Sequence, residues 1–194
     1  CYSEHARRYL MECGLPKERT FVTGSPMAEV LHANLDKIEA SNVHQRLGLT
    51  KGQYILLSAH REENIDTDRN FAQLFTAVNA MAEKYDMPIL YSCHPRSRKR
   101  LEATGFQLDT RVIAHEPLGF LDYNCLQMNA FAVVSDSGTL PEESSFFLSV
   151  GKSFPAVSIR TSTERPEALD AGCFVLAGID ADSLLQAVDM AVGM

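Results

Sequence analysis

The chain has 194 residues, 45% hydrophobic and 22% charged, a composition typical of one sizeable globular domain or at most two small ones. Its formal net charge of −7 gives no support to a nucleic-acid or anionic-membrane surface. No apolar run approaches the roughly 18–20 residues of a membrane span. The five cysteines are dispersed without CxxC spacing, which argues against a zinc site or a disulfide framework and favours a reducing, cytoplasmic setting.

From about residue 50, short apolar runs alternate with amphipathic stretches. The apolar runs predict six strands, at Tyr54–Ser58, Pro88–Cys93, Arg111–Ala114, Phe131–Ser135, Pro155–Ile159 and Phe174–Ala177. The stretches between and after them predict helices, at Asp68–Lys84, from Pro95, around Phe120–Met128, at Thr139–Leu148, near Arg165–Asp170 and at Ala181–Val192. Strand–helix alternation with short connections predicts parallel pairing, and therefore an α/β fold with a Rossmann-like, doubly wound sheet covered on both faces.

The first 50 residues follow a different pattern. We expect a helix near Ser3–Cys13, then the segment Thr20–Thr23, then a helical stretch from Met27 to about Leu47. The chain starts with Cys rather than Met, and both of its ends fall inside helical patterns. We therefore expect it to be a fragment of a longer protein.

Polar segments follow five of the predicted strands. They are SAHREEN (58–64), SCHPR (92–96), HEPLG (115–119), SDSGT (135–139) and IRTSTERPE (159–167). Ligands of open parallel sheets bind beyond the carboxyl ends of the strands. This concentration of polar side chains therefore predicts an anionic ligand with several hydrogen-bonding groups.

The segment DSGT opens a predicted helix. The backbone N–H groups of Gly138 and Thr139, with the positive end of the helix dipole, would suit a phosphate. In the alternative interpretation, Ser137 is only an N-cap and Glu142 or Glu143 only complements the dipole, and spacing alone does not separate the two. From the helix, Glu143 could also accept hydrogen bonds from a vicinal diol such as ribose.

Charged and histidine side chains near other strand ends allow two interpretations each. His60 and Arg61 directly follow a strand and could contact a phosphate or a leaving-group oxygen, although a histidine at such a position is more often structural. Arg165 could pair with Glu164 or Glu167 and have no other role.

Three segments in this order and spacing, SAHREEN, SDSGTLPEESS and IRTSTERPEALDAG, resemble the non-hydrolysing UDP-N-acetylglucosamine 2-epimerases. The opening SEHARRYLMECGLPKERTFVTGSP resembles the stretch that joins the two domains of that family. The resemblance implies the GT-B arrangement, in which two Rossmann-like domains enclose the active site. It further implies that residues 1–25 are the interdomain connection, that 26–194 are the C-terminal UDP-binding domain, and that an N-terminal domain is absent from this chain.

The resemblance also implies which residues bind the nucleotide. Ser137 and Gly138 match the diphosphate-binding turn of the family, and Glu143 matches the glutamate that holds the ribose hydroxyls. Where the family more often reads DSGG, this chain reads DSGT, so that Thr139 brings a side chain to the substrate-binding turn. This departure, and a longer link to the fifth strand, resemble the branch that forms UDP-N-acetyl-L-fucosamine for capsular polysaccharide or lipopolysaccharide O-antigen.

Four further residues match family positions. His60 and Arg61 match the pair that faces the diphosphate and the sugar, and they are the expected catalytic residues. Arg165 matches the substrate-binding arginine of the TERPE motif. Tyr123 falls where an aromatic residue lies beside the uracil, which is a weaker match.

The implied activity is inversion of C2 in a UDP-N-acetyl-amino sugar, such as UDP-GlcNAc to UDP-ManNAc, by elimination and re-addition of UDP. The acid/base carboxylates would lie in the absent N-terminal domain, so this chain alone is expected to be inactive or nearly so. The resemblance implies a homodimer and no metal or other cofactor. Two alternatives stay open, namely a GT-B glycosyltransferase that uses a UDP-sugar and a non-catalytic UDP-sugar-binding domain.

Overall fold

Six apolar runs form one parallel sheet in the computed structural model, which describes residues 1–194. The strands are β1 Ile55–Ser58, β2 Ile89–Ser92, β3 Val112–His115, β4 Ala132–Ser135, β5 Ala156–Ser158 and β6 Val175–Leu176. Their order is β3-β2-β1-β4-β5-β6, and every pair is parallel. This is the doubly wound order whose ligand crevice lies between β1 and β4. The predicted fold class and all six predicted strands are confirmed.

Ten α-helices accompany the sheet. They are α1 Glu4–Glu12, α2 Pro26–Glu39, α3 Val43–Leu47, α4 Glu62–Ile65, α5 Asp68–Tyr85, α6 Pro95–Thr104, α7 Phe120–Met128, α8 Leu140–Ser149, α9 Pro166–Asp170 and α10 Ala181–Gly193. Lys17–Arg19 adds one turn of 3-10 helix. None of these helices combines the length and the hydrophobicity that crossing a membrane requires.

Two local features differ from the prediction. The expected helix from Met27 to Leu47 is divided into α2 and α3. The division follows from Ser41, whose hydroxyl donates to Asp122 Oδ1 (2.6 Å) and accepts from the N–H of Val43 (3.2 Å), so that it competes with the helical hydrogen bonds. The helix α4 was not predicted, because its four residues are too few to show a periodicity.

Alternate residues of the central strands face two separate cores, whereas Ile113 of the edge strand β3 is exposed. Ile55 and Leu57 pack in the core that α5 and α10 cover, whereas Leu56 packs in the core that α2, α7 and α8 cover. These fully buried residues hold the strands in register, with Ser58 opposite Ser135 and Ser135 opposite Ser158. The loops that follow β1, β4 and β5 therefore begin side by side at one edge of the sheet.

Candidate functional site

The loops that follow β1, β4 and β5 are joined by the carboxylate of Asp136, which is only 1% exposed. It accepts hydrogen bonds from the N–H groups of His60 (2.9 Å) and Arg61 (2.8 Å) and from the side-chain amide of Asn64 (3.1 Å). The same amide donates to the carbonyl of Ile159 (3.0 Å), the residue directly after β5. Asp136 thus fixes the conformation of the segment that contains His60 and Arg61. Sequence reasoning missed this role, although the position of Asp136 directly after a buried strand was a usable signal.

The turn before α8 leaves one backbone donor available. The hydroxyl of Ser137 accepts from the N–H of Thr139 (3.3 Å) and lies 2.9 Å from its hydroxyl, but the N-cap position of α8 is Thr139 itself. The Ser137 hydroxyl thus makes the kind of contact that a capping residue makes, and this contact leaves both interpretations of Ser137 open. The N–H of Gly138 has no acceptor within the protein and is exposed at the start of a ten-residue helix.

Two guanidinium groups flank Gly138. A Cβ atom at this glycine would lie 3.8 Å from Arg61 Nη2 and 4.0 Å from Arg160 Nη1. Arg61 is oriented by its Nε, which donates to the carbonyl of Asp136 (2.9 Å), and this leaves its Nη atoms without an internal partner. The Nη atoms of Arg160 are both bound to Glu164 (2.6 Å each). Arg160 was not among the predicted site residues, although it too directly follows a strand.

Glu143 lies on the first turns of α8 and is 7% exposed. Its Oε1 accepts a hydrogen bond from the hydroxyl of Thr139 (3.0 Å). Burial raises the pKa of the Glu143 carboxyl above its ordinary value. Burial and the nearby Glu143 carboxylate together raise the pKa of the Tyr123 phenol, and this phenol also lies near the hydroxyls of Ser58 and Ser135. The structure therefore brings Thr139, Glu143 and Tyr123 together beside the Gly138 turn.

The imidazole of His60 is half-buried, with Nδ1 buried and unpartnered. Its ring centroid lies 6.5 Å from that of His94, in an edge-to-face arrangement. Burial lowers the pKa of His60; Asp136 opposes this change, and His94 adds to it. His60 is therefore a neutral hydrogen-bonding group at neutral pH.

Arg165 lies along the side of α8, and its Nη1 donates to the backbone carbonyl of Glu164 (3.0 Å). Its Nε and Nη2 donate to Glu142 Oε1 (3.2 and 3.1 Å), and its guanidinium lies 4.7 Å from the ring centroid of Tyr2. The alternative in which Arg165 pairs with Glu164 or Glu167 is not what the structure shows: the ion pair of Arg165 is with Glu142, and the Glu164 carboxylate binds Arg160. Arg165, Glu142 and Tyr2 line a cavity of about 320 Å³, which the Gly138 turn does not line.

The geometry suits a phosphorylated ligand that also carries hydroxyl groups. A free N–H at the start of α8, the positive end of its dipole and an open guanidinium would together bind an anion. The adjacent buried carboxylate accepts hydrogen bonds as a diol requires. No group of three or more His, Cys, Asp and Glu side chains is arranged to hold a metal ion.

The family model described as UDP-N-acetylglucosamine 2-epimerase matches residues 1–193. A protein of that name from Methanococcus maripaludis is 31% identical, with the match covering 95% of this chain and 51% of the relative. A protein of the same name from Methanocaldococcus jannaschii is 29% identical, covering 97% of this chain and 52% of the relative. The chain thus spans about half the length of these curated relatives.

The solved structures that this chain resembles carry the same protein name as its sequence relatives. The structure of UDP-N-acetylglucosamine 2-epimerase from Rickettsia bellii is 40% identical, with a TM-score of 0.88, and covers 100% of this chain and 50% of that chain. The structure of Methanocaldococcus jannaschii UDP-GlcNAc 2-epimerase in complex with UDP-GlcNAc and UDP is 28% identical, with a TM-score of 0.89. The match covers 100% of this chain and 54% of that chain. Both comparisons place the similarity over the whole of this chain and over one half of the solved protein.

The substitution Asp136→Asn tests the role of the buried carboxylate. The Asp136 carboxylate presents two acceptor oxygens to its donors, whereas an Asn side chain presents only one. We therefore expect a loss of about 2–3 kcal/mol in the free energy of unfolding. Amide hydrogen exchange at His60 and Arg61 is expected to accelerate. The control Asp182→Asn, at an exposed position of α10, is expected to change stability by less than about 0.5 kcal/mol. Unchanged exchange at both amides in the Asp136 variant would contradict the positioning role.

The substitution Glu143→Gln tests the cost of burying an ionised carboxylate. Because the folded-state pKa is raised, the stability contributed by the protonated form is complete below the ordinary value of 4.5 and is lost as the pH rises through the folded-state value. We therefore expect the variant to be more stable than the parent in urea unfolding at pH 8 and similar to it at pH 4. The exposed-site control Glu102→Gln should show no such pH-dependent difference. A Glu143 variant less stable than the parent at pH 8 would refute the argument.

Proposed function

Because this chain belongs to the UDP-N-acetylglucosamine 2-epimerase family, we propose that it is the nucleotide-binding half of a two-domain UDP-sugar 2-epimerase. The activity is inversion of C2 in a UDP-N-acetyl-amino sugar such as UDP-GlcNAc, by elimination and re-addition of UDP. The observation that carries the proposal is the Gly138 turn, where a free N–H and the open guanidinium of Arg61 adjoin the buried carboxylate of Glu143.

Each residue of the site has a proposed task. Ser137, Gly138 and Arg61 bind the diphosphate, which becomes the leaving group, and preformed donors stabilise the charge that develops on it. Glu143 accepts the ribose hydroxyls, with Thr139 orienting its carboxylate through their 3.0 Å hydrogen bond. Tyr123 is proposed to lie beside the uracil.

The two remaining predicted residues have support of different kinds. His60 faces the sugar and the leaving oxygen, and its lowered pKa makes it a neutral donor rather than a second cation at neutral pH. For Arg165, the support is the family motif alone, since its partners in the structure are Glu142 and Tyr2.

The proposal includes a second domain. Residues 1–25 are proposed as the connection to an N-terminal domain and 26–194 as the C-terminal domain. The helix α1 has no buried residue, and Phe21 is 67% exposed, so this segment offers apolar surface that another domain can cover. The acid/base carboxylates are assigned to that domain.

A homodimer and a role in capsular polysaccharide or lipopolysaccharide synthesis are also proposed, and both rest on the family resemblance. The five unpaired cysteines are consistent with a cytoplasmic setting.

Deuterium exchange at C2 tests the proposed reaction. The longer protein is incubated in deuterated water with UDP-N-acetylglucosamine, and separately with UDP-N-acetyl-6-deoxy-L-talosamine, and C2 is followed by NMR. We expect deuterium at C2 with inversion, and the relative rates identify the preferred sugar. The 194-residue chain alone is expected to show no turnover. UDP binding without exchange on either sugar would contradict the epimerase proposal and leave a glycosyltransferase or a binding domain.

The substitution Gly138→Ala tests the location of the diphosphate. In the free protein the added methyl group meets nothing closer than 3.8 Å, so stability should be unchanged. The methyl group nevertheless occupies the space between the guanidinium groups, and we expect affinity for UDP to fall by about tenfold or more in calorimetric titration. The control Gly193→Ala, at the end of α10, should bind as the parent does. Parental affinity in the Gly138 variant would place the diphosphate elsewhere.

A further inference from the structure

We propose that Arg160 is a second diphosphate-binding residue, and that Glu164 is an internal competitor whose carboxylate leaves Arg160 when UDP binds. The inference rests on the proposed diphosphate site at Gly138. It adds an arginine that the family resemblance did not assign here, and it gives Glu164 an effect on affinity opposite in sign to that of a binding residue.

The position of Arg160 is fixed by the sheet. The preceding residue, Ile159, donates its N–H to the carbonyl of Ser135 (3.0 Å), as part of the β4–β5 ladder. The Arg160 side chain is 7% exposed, and its Nε is buried without a partner. Its Nη1 is 4.0 Å from the Cβ position at Gly138, almost as close as Arg61 Nη2 at 3.8 Å. An anion bound to the N–H of Gly138 would therefore lie within reach of both guanidinium groups.

Glu164 occupies the face of Arg160 that a phosphate would use. Its two oxygens accept from Arg160 Nη1 and Nη2 (2.6 Å each), which is the parallel two-bond geometry that guanidinium groups form with carboxylates and phosphates alike. In contrast to Arg160, the Glu164 side chain is 60% exposed and lies in the loop between β5 and α9. The carboxylate can therefore turn into water while the buried guanidinium stays in place.

The charges around the pair explain why a competitor is needed. Two guanidinium groups near one glycine repel each other, and Glu164 neutralises one of them when no ligand is bound. The carboxylates of Glu63 and Asp136 also attract the Arg160 guanidinium and raise its pKa. Arg61 attracts the Glu164 carboxylate and lowers its pKa. A diphosphate that approached Gly138 with Glu164 in place would meet a negative charge at its own binding group. Displacement of Glu164 removes this repulsion and frees both Nη atoms.

Calorimetric titration of the longer protein with UDP, UMP and uridine tests the inference. We expect Glu164→Gln to raise the affinity for UDP by about 3- to 10-fold at low salt, with a smaller gain for UMP and none for uridine. Arg160→Gln is expected to lower UDP affinity by about 10- to 100-fold. In the double variant, the gain from Glu164→Gln should disappear, because there is no guanidinium left to release. The control Glu83→Gln, on the exposed face of α5, should bind as the parent does.

The outcomes separate the inference from the function on which it rests. Unchanged UDP affinity in Glu164→Gln would overturn the competition, and lower affinity would overturn it too by showing that Glu164 positions Arg160. Parental UDP affinity in Arg160→Gln would overturn the role of Arg160. If instead UDP binds to no variant and not to the parent, the proposed function itself fails. Thermal unfolding of each variant establishes that it is folded, and the exposed position of Glu164 keeps that arm of the test valid if Arg160→Gln does not fold.

Discussion

The carboxylate of Asp136 is the interaction on which the geometry of the candidate site depends. A buried charge is tolerated only when its hydrogen-bonding capacity is satisfied, and the N–H groups of His60 and Arg61, with the amide of Asn64, satisfy that of Asp136. The backbone of Asp136 also accepts from Arg61 Nε, so one residue sets both the course of the loop and the direction of its guanidinium. The donors beside Gly138 are thus in place before a ligand arrives, as electrostatic stabilisation of a leaving group requires.

Around this residue, positive and negative side chains are paired in a way that composition does not reveal. The chain carries a net charge of −7, yet two guanidinium groups lie within about 4 Å of the position that a Cβ atom would take at Gly138. Glu164 neutralises Arg160, while Glu142 binds Arg165 on the side of α8. Positive charge can in this way remain available beside Gly138 in an acidic chain, because no acidic side chain binds the Nη atoms of Arg61 and the partner of Arg160 is an exposed glutamate.

Sequence patterns predicted the sheet more completely than the site. Short apolar runs predicted all six strands, because an apolar run can be read from the local sequence by itself. The helix α4 depends instead on Asp136, 75 residues beyond Arg61 in the chain, and no local pattern shows that contact. The partner of Arg165 was missed for the same reason: the sequence suggested only neighbouring glutamates as alternatives, whereas Glu142 lies 23 residues away on α8. The family motifs predicted the position of the candidate site, and the pairing of β4 with β5 brings Arg160 close to the Gly138 turn.

A crystal structure of the longer protein with UDP would show where the diphosphate binds. We expect one phosphate on the N–H of Gly138, between the guanidinium groups of Arg61 and Arg160. We also expect the ribose hydroxyls on Glu143 and the Glu164 carboxylate turned away from Arg160. A diphosphate bound away from the Gly138 turn, or ribose hydroxyls without contact to Glu143, would contradict the account.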